Sequence, residues 1–210
     1  MGRMSSGPAL TVEHLHVWRG DAHVLRGVSF AVDRGQLLEV RGANGAGKTT
    51  LIRAVCGLLH AEEGRVRWRG QEVRVDLPAF HAELAYVGHD GALKADLSGM
   101  ENIAYAAGVR RAVTRRDVAA AVERVGASPY AERLVRTLSA GQRRRLALAV
   151  LLLTGAALWL IDEPTTNLDA RGQALVGGLI AEHLAAGGVV VAAVHQALPV
   201  ARGAVIELEL

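Results

Sequence analysis

The chain has a single cysteine, Cys56, so it can carry no disulfide framework and no thiolate metal cluster. Cys56 stands among apolar neighbours in "LIRAVCGLL" and reads as packing. Aromatic residues make up only 4% of the 210 residues, too few for the stacking platform that single-stranded nucleic acid requires. Long apolar runs are missing too, although half the residues are hydrophobic. The longest uncharged stretch runs from Leu146 to Ile161 and contains Gly155, which falls short of the ~20 apolar residues of a membrane-crossing helix. It reads as a buried helix end followed by a buried strand. The opening "MGRMSSGPAL" is short and polar, unlike a cationic, apolar secretory leader, which predicts a protein that stays in the cytoplasm. Net charge is only +3, and the arginines gather at Arg110–Arg116 and Arg143–Arg145. Such runs read as solvated helix faces, so no nucleic-acid partner is expected.

Glycine, in contrast, is plentiful at 24 residues, and three of them fall in "RGANGAGKTT", Arg41 to Thr50. Gly42, Gly47, Lys48 and Thr49 fill G-x-x-x-x-G-K-[ST], the phosphate-binding loop that joins a buried strand to a helix. "QLLEVR" before it reads as the strand and "TTLIRAVCGLL" as the helix. Glycines take backbone angles that side chains forbid. Successive N–H groups from Gly42 through Asn44, Gly45, Ala46 and Gly47 to Lys48, Thr49 and Thr50 can therefore converge on phosphate oxygens at the positive end of the helix. Lys48 would neutralise the β- and γ-phosphates, and Thr49 would hold Mg²⁺ through its hydroxyl. A bound nucleoside triphosphate with Mg²⁺ is the expectation.

Around this loop the pattern changes twice. Between Leu10 and Val40 the segments "LTVEHLHV", "HVLRGVSFAV" and "QLLEV", separated by Gly20 and Gly35, predict an antiparallel β portion. Short strands follow at "GRVRWRG" and "LAYVG". Ser98-x-x-Glu101 and Thr114-x-x-Asp117 then resemble helix-opening capping boxes and predict a mostly helical insert from about Gly91 to Leu138. After it come a helix from Ser139, the strand "ALWLID", a helix at about Ala170 to Ala185 and the strand "GGVVVAAV". Apolar strands alternating with helices after a phosphate loop predict an α/β fold with a largely parallel sheet covered on both faces.

Asp162 and Glu163 close the apolar strand "ALWLIDEP", the place where an open parallel sheet puts ligand-facing groups. Asp162 would hold Mg²⁺ with Thr49, and Glu163 would be the general base for an attacking water. Between these two motifs lies "LSAGQRRR", Leu138 to Arg145. By itself it could be only a helix N-cap. In company with the phosphate loop and "LIDEP" it resembles the signature motif of the nucleotide-binding domain of ATP-binding cassette (ABC) proteins, and the resemblance covers almost the whole chain.

That resemblance implies a P-loop ATPase fold and a single domain over residues 1–210, with a helical subdomain at about 91–153. It implies that Ser139, Gly141 and Gln142 contact the γ-phosphate held by a second copy of the subunit. It implies too that "TTNLD", Thr165 to Asp169, crosses between the copies, and that His195 in "AAVHQ" bonds the γ-phosphate as a switch. Two positions depart from the family pattern. His89 in "AYVGHDG" stands where a glutamine is usual, and its imidazole is shorter and titrates near neutral pH. At the adenine-stacking position Trp18 and Arg19 compete, the first by stacking and the second by a cation–π contact.

A coiled-coil repair ATPase has no room for its coil between the phosphate loop and the signature, and a translation-type protein would have two cassettes. What remains is the energy subunit of a transporter, held at the cytoplasmic face of the inner membrane by separately encoded permease subunits. Within that class the pairs "GH" at His89 and "HQ" at His195 make the chain similar to the haem-exporter ATPases of cytochrome c maturation. Drug or lipid exporter ATPases, which also suit "TTNLD", are the alternative.

Overall fold

The computed structural model describes residues 7–88 and 92–210. His89 therefore lies outside the described residues. The chain opens with the hairpin β1 (Leu10–Arg19) and β2 (Ala22–Val32), followed by β3 (Leu37–Arg41) and α1 (Lys48–Val55). Next come β4 (Glu63–Trp68), β5 (Gln71–Glu72), α2 (Leu77–Glu83) and β6 (Leu84–Val87). The helices α3 (Gly99–Gly108), α4 (Arg115–Arg124) and α5 (Ala140–Thr154) then lead to β7 (Leu158–Asp162), α6 (Ala170–Ala185), β8 (Val189–Ala193) and β9 (Val205–Glu209).

Two sheets result. The smaller has the order β2-β1-β4-β5 and is antiparallel throughout. In β1 the buried positions are Leu10 and Val12, then Leu15 and Val17, so the inward face changes parity midway. His14, with φ of +46°, supplies the reason: the register shifts there, and the bulge turns the next residue inward.

The larger sheet has the order β6-β7-β8-β3-β9, with every pairing parallel. Each residue of β7 and β8 is buried, as a parallel strand covered on both faces demands. Leu158 and Leu160 face the layer containing α1 and the antiparallel sheet, whereas Trp159 and Ile161 face the layer containing α5 and α6. Burying each such leucine or isoleucine contributes roughly 1.5–3 kcal/mol. The order brings the carboxyl ends of β3, β8 and β7 side by side.

Both expected capping boxes form. Ser98 accepts from Glu101 N while Glu101 accepts from Ser98 N, and Thr114 and Asp117 do the same at α4. Three elements, β5, α2 and β9, lie outside what the sequence pattern predicts. The expectation that the arginine runs are solvated faces holds for Arg111, Arg115 and Arg116, which are exposed, and is corrected for Arg110 and for Arg143–Arg145. Arg110 donates to the carbonyls of His81, Ala82 and Leu84, Arg143 to Leu138, and Arg145 to Val125. Arg144 is buried outright. Helix ends and strand ends leave carbonyls without partners, and a guanidinium with five donors meets several at once.

Candidate nucleotide site

The loop between β3 and α1 turns on its glycines. Gly42, Gly45 and Gly47 take φ of +140°, +85° and +105°, all in the region that favours glycine. At Gly47 a Cβ would also press on Val24 and Leu25 of β2, so the antiparallel sheet packs directly against the loop. Gly47 caps α1 with no side-chain hydrogen bond, which leaves the helix start available to an anion. Asn44 and Gly45 are exposed, Ala46 is half-buried and Thr50 is buried behind them. Lys48 folds back over the loop, its Nζ donating to the Gly42 and Ala43 carbonyls at 2.7 and 3.1 Å.

Thr49 and Asp162, far apart in sequence, meet across the sheet edge, with Oγ1 donating to Oδ2 at 2.8 Å. A hydroxyl and a carboxylate oxygen are the hard donors Mg²⁺ prefers, so the pair fits that ion. Asp162 is 2% exposed, held at the end of β7. Glu163 takes φ of +53°, uncommon for a residue with a side chain. Its N–H donates to Ala193 O at 3.0 Å, which ties the turn to β8. Its carboxylate accepts from His195 Nε2 at 2.9 Å and from Thr166 Oγ1 at 2.9 Å. His195 lies just past β8, between the strand that feeds the phosphate loop and the strand that ends in the two acids.

At the start of α5, Ser139 accepts from Gln142 N, and Gln142 Oε1 accepts from Ser139 N at 2.9 Å, a third capping box. A Cβ on Gly141 would collide with the Asn167 carbonyl, so the signature helix rests on the loop after β7 at that glycine. Asp169 caps α6 by accepting from Gly172 N and pairs with Arg145 at 3.2 Å. The structure thus gathers Lys48, Thr49, Asp162, Glu163 and His195 on one edge, while Ser139, Gly141 and Gln142 form a separate helix start and Asp169 caps another.

At the end of β1 the Trp18 ring stacks on His23, with centroids 3.8 Å apart and planes 7° apart. His16 lies beside them and shares a 3.0 Å hydrogen bond with His23. The histidine pair therefore backs one face of Trp18, and Arg19 next to it is exposed. Sequence reasoning missed this backing, the Thr166 contact and the part played by Glu39. Buried in β3, Glu39 accepts from Leu198 N at 2.7 Å and so holds the segment that follows His195. A carboxylate inside the apolar run "QLLEV" was the available signal.

A family model described as ABC transporter matches residues 25–166. The chain belongs to this family, and it is an ABC-type ATPase subunit. Two solved structures establish the same fold. One is a dimeric ATP-binding cassette in a post-hydrolysis state bound to ADP and Pi, with TM-score 0.84 and 21% identity over 96% of each chain. The other is an ATP-binding protein of a putative ABC transporter from Pyrococcus furiosus, with TM-score 0.82 and 22% identity over 96% of each chain. Curated relatives narrow the class. The chain is 45% identical over 201 residues to the cytochrome c biogenesis ATP-binding export protein CcmA of Nitrosococcus oceani, covering 96% of this chain and 92% of that one. It is 43% identical over 198 residues to the protein of the same name from Methylococcus capsulatus, covering 94% and 95%. Among the described residues no helix is long and apolar enough to cross a membrane.

Proposed function

We propose that the chain is the energy subunit of a haem exporter serving cytochrome c maturation. It works as a pair with a second copy, docked peripherally on separate permease subunits at the cytoplasmic face of the inner membrane. The observation that carries the hydrolytic part is the meeting of Lys48, the Thr49–Asp162 pair and the Glu163–His195 pair at one sheet edge. The likeness to cytochrome c biogenesis export proteins supports the choice of cargo. We read residues 1–210 as one nucleotide-binding domain, with a helical subdomain at about 91–153.

In this reading the N–H groups from Gly42 to Thr50 face the phosphates of ATP, and the Lys48 ammonium exchanges the Gly42 and Ala43 carbonyls for the β- and γ-phosphates. Thr49 and Asp162 hold Mg²⁺, which when bound neutralises charge on the β- and γ-oxygens. The Glu163 carboxylate orients the attacking water and takes its proton. His195, already donating to Glu163, steadies that carboxylate and lies beside the place of the γ-phosphate. Ser139, Gly141 and Gln142 offer the start of α5 to the nucleotide held by the second copy, with Asp169 at the crossing between the two. The adenine base packs on the open side of Trp18 or on Arg19, and His89 takes the part of the family's usual glutamine in coupling to the permease.

The test is made in cells lacking the gene. Wild-type chain should restore haem-stained c-type cytochromes to membrane fractions, and Glu163→Gln should not. Unchanged c-type cytochromes in the deletion strain would sink the haem assignment and leave the ATPase assignment standing.

A further inference from the structure

At 6% exposure Arg144 is the one buried arginine among the described residues. Its whole guanidinium is directed at main-chain carbonyls. Nη1 donates to Gly88 at 2.9 Å, Nε to Pro164 at 3.4 Å, and Nη2 to both Asp162 and Glu163. Three of these carbonyls belong to consecutive residues centred on Glu163, whose left-handed backbone persists only where its surroundings over-determine it. The fourth ends the chain's course out of β6, on the neighbouring strand of the sheet. Burial pulls the Arg144 pKa down, while the Asp162 and Glu163 carboxylates and Tyr86 push it up. Lysine could not replace this arrangement, because one ammonium lacks the planar fork that reaches several acceptors at once.

We propose that Arg144 is a positioning residue for hydrolysis: a guanidinium clamp that fixes the 162–164 turn, and with it the aim of the Glu163 carboxylate, to the helix opened by Ser139. The clamp sits five residues into that helix. Any displacement of the α5 start is therefore transmitted to the backbone of the base in the same chain, as well as to the outlet of β6. The proposal rests on the reading of Glu163 as the base.

The experiment uses the full chain and measures kcat and KM for ATP, the Kd of a fluorescent ATP analogue, and the thermal midpoint. Arg144→Met should lower kcat at least tenfold, roughly the scale on which a misplaced catalytic group loses rate. Analogue affinity should stay within about threefold of wild type, because the groups holding phosphate are untouched. Arg144→Lys should regain only part of the rate. Arg110→Met is the control: it strips a guanidinium from three carbonyls at a junction away from the site, and it should lose thermal stability with kcat unchanged. Equal losses of kcat in Arg110→Met and Arg144→Met, or a fall of rate and binding together in Arg144→Met, overturn the proposal. Should Arg144→Met fail to fold, a folded Arg144→Lys with wild-type kcat overturns it. Glu163→Gln is assayed alongside. If it hydrolyses ATP at the wild-type rate, the reading of the base falls and the clamp with it; if it is inactive beside a fully active Arg144→Met, only the clamp falls.

Discussion

Lys48 and Glu163 divide the holding of a nucleotide from its cleavage. Losing the Lys48 ammonium removes charge-assisted contacts of about 1.5–3 kcal/mol, so Lys48→Ala should weaken ATP binding about tenfold or more. Glu163→Gln keeps the size of the side chain and the phosphate contacts while losing the base, so binding should persist and hydrolysis should fall by about 10²–10⁴. Fluorescence titration and phosphate release check the two arms; equal loss of affinity in both variants would contradict the division. The glycine loop, the acid pair and the signature were legible because each is a short motif whose local backbone dictates its residue types. Their contacts were not. Thr49 reaches Asp162 only because β7 and β3 flank β8, an order that distance along the chain does not encode. Arg143, Arg144 and Arg145 look alike in sequence, and nothing in a charge run says which guanidinium points inward.

At the scale of elements, local rules governed the helix starts. Ser98, Thr114 and Ser139 each open a helix with a reciprocal box, and a serine or threonine spaced three from an acid or amide was enough to find the first two. Hydrogen bonds from Ser98 hold the Glu101 carboxyl below its usual range, and those from Thr114 do the same for Asp117. A lowered folded-state pKa means stability that is fully present above the unfolded value and is lost as pH falls through the folded one. Glu101→Ala should therefore unfold at a lower temperature than wild type at neutral pH, with the gap closing as pH falls below the usual carboxylate range. Thermal midpoints across pH read this directly; a gap that widens in acid would refute it. Strand β9 escaped notice for the opposite reason. Its "VIELE" has half-exposed alternation typical of an antiparallel hairpin arm, and only pairing with distant β3 makes it a parallel edge strand.

The whole molecule is an incomplete catalyst in the proposed reading, since each nucleotide needs the α5 start of a second copy. Hydrolysis per chain should then rise with protein concentration in dilute solution. Turnover measured across a dilution series, with the oligomeric state followed by light scattering, gives the answer; a flat profile from a monomer would contradict pairing. The parallel sheet has another effect, on the order of events during synthesis. Strand β3, which feeds the phosphate loop, is flanked on both sides by strands from the far end of the chain, β8 and β9. The loop leaves the ribosome long before either flank exists. Non-local pairings of this kind close late, because the entropy of the intervening chain must be overcome first. The nascent protein thus passes through a stage with both edges of β3 uncovered, when it is open to mispairing and to chaperones, and it acquires its affinity for nucleotide near the end of folding.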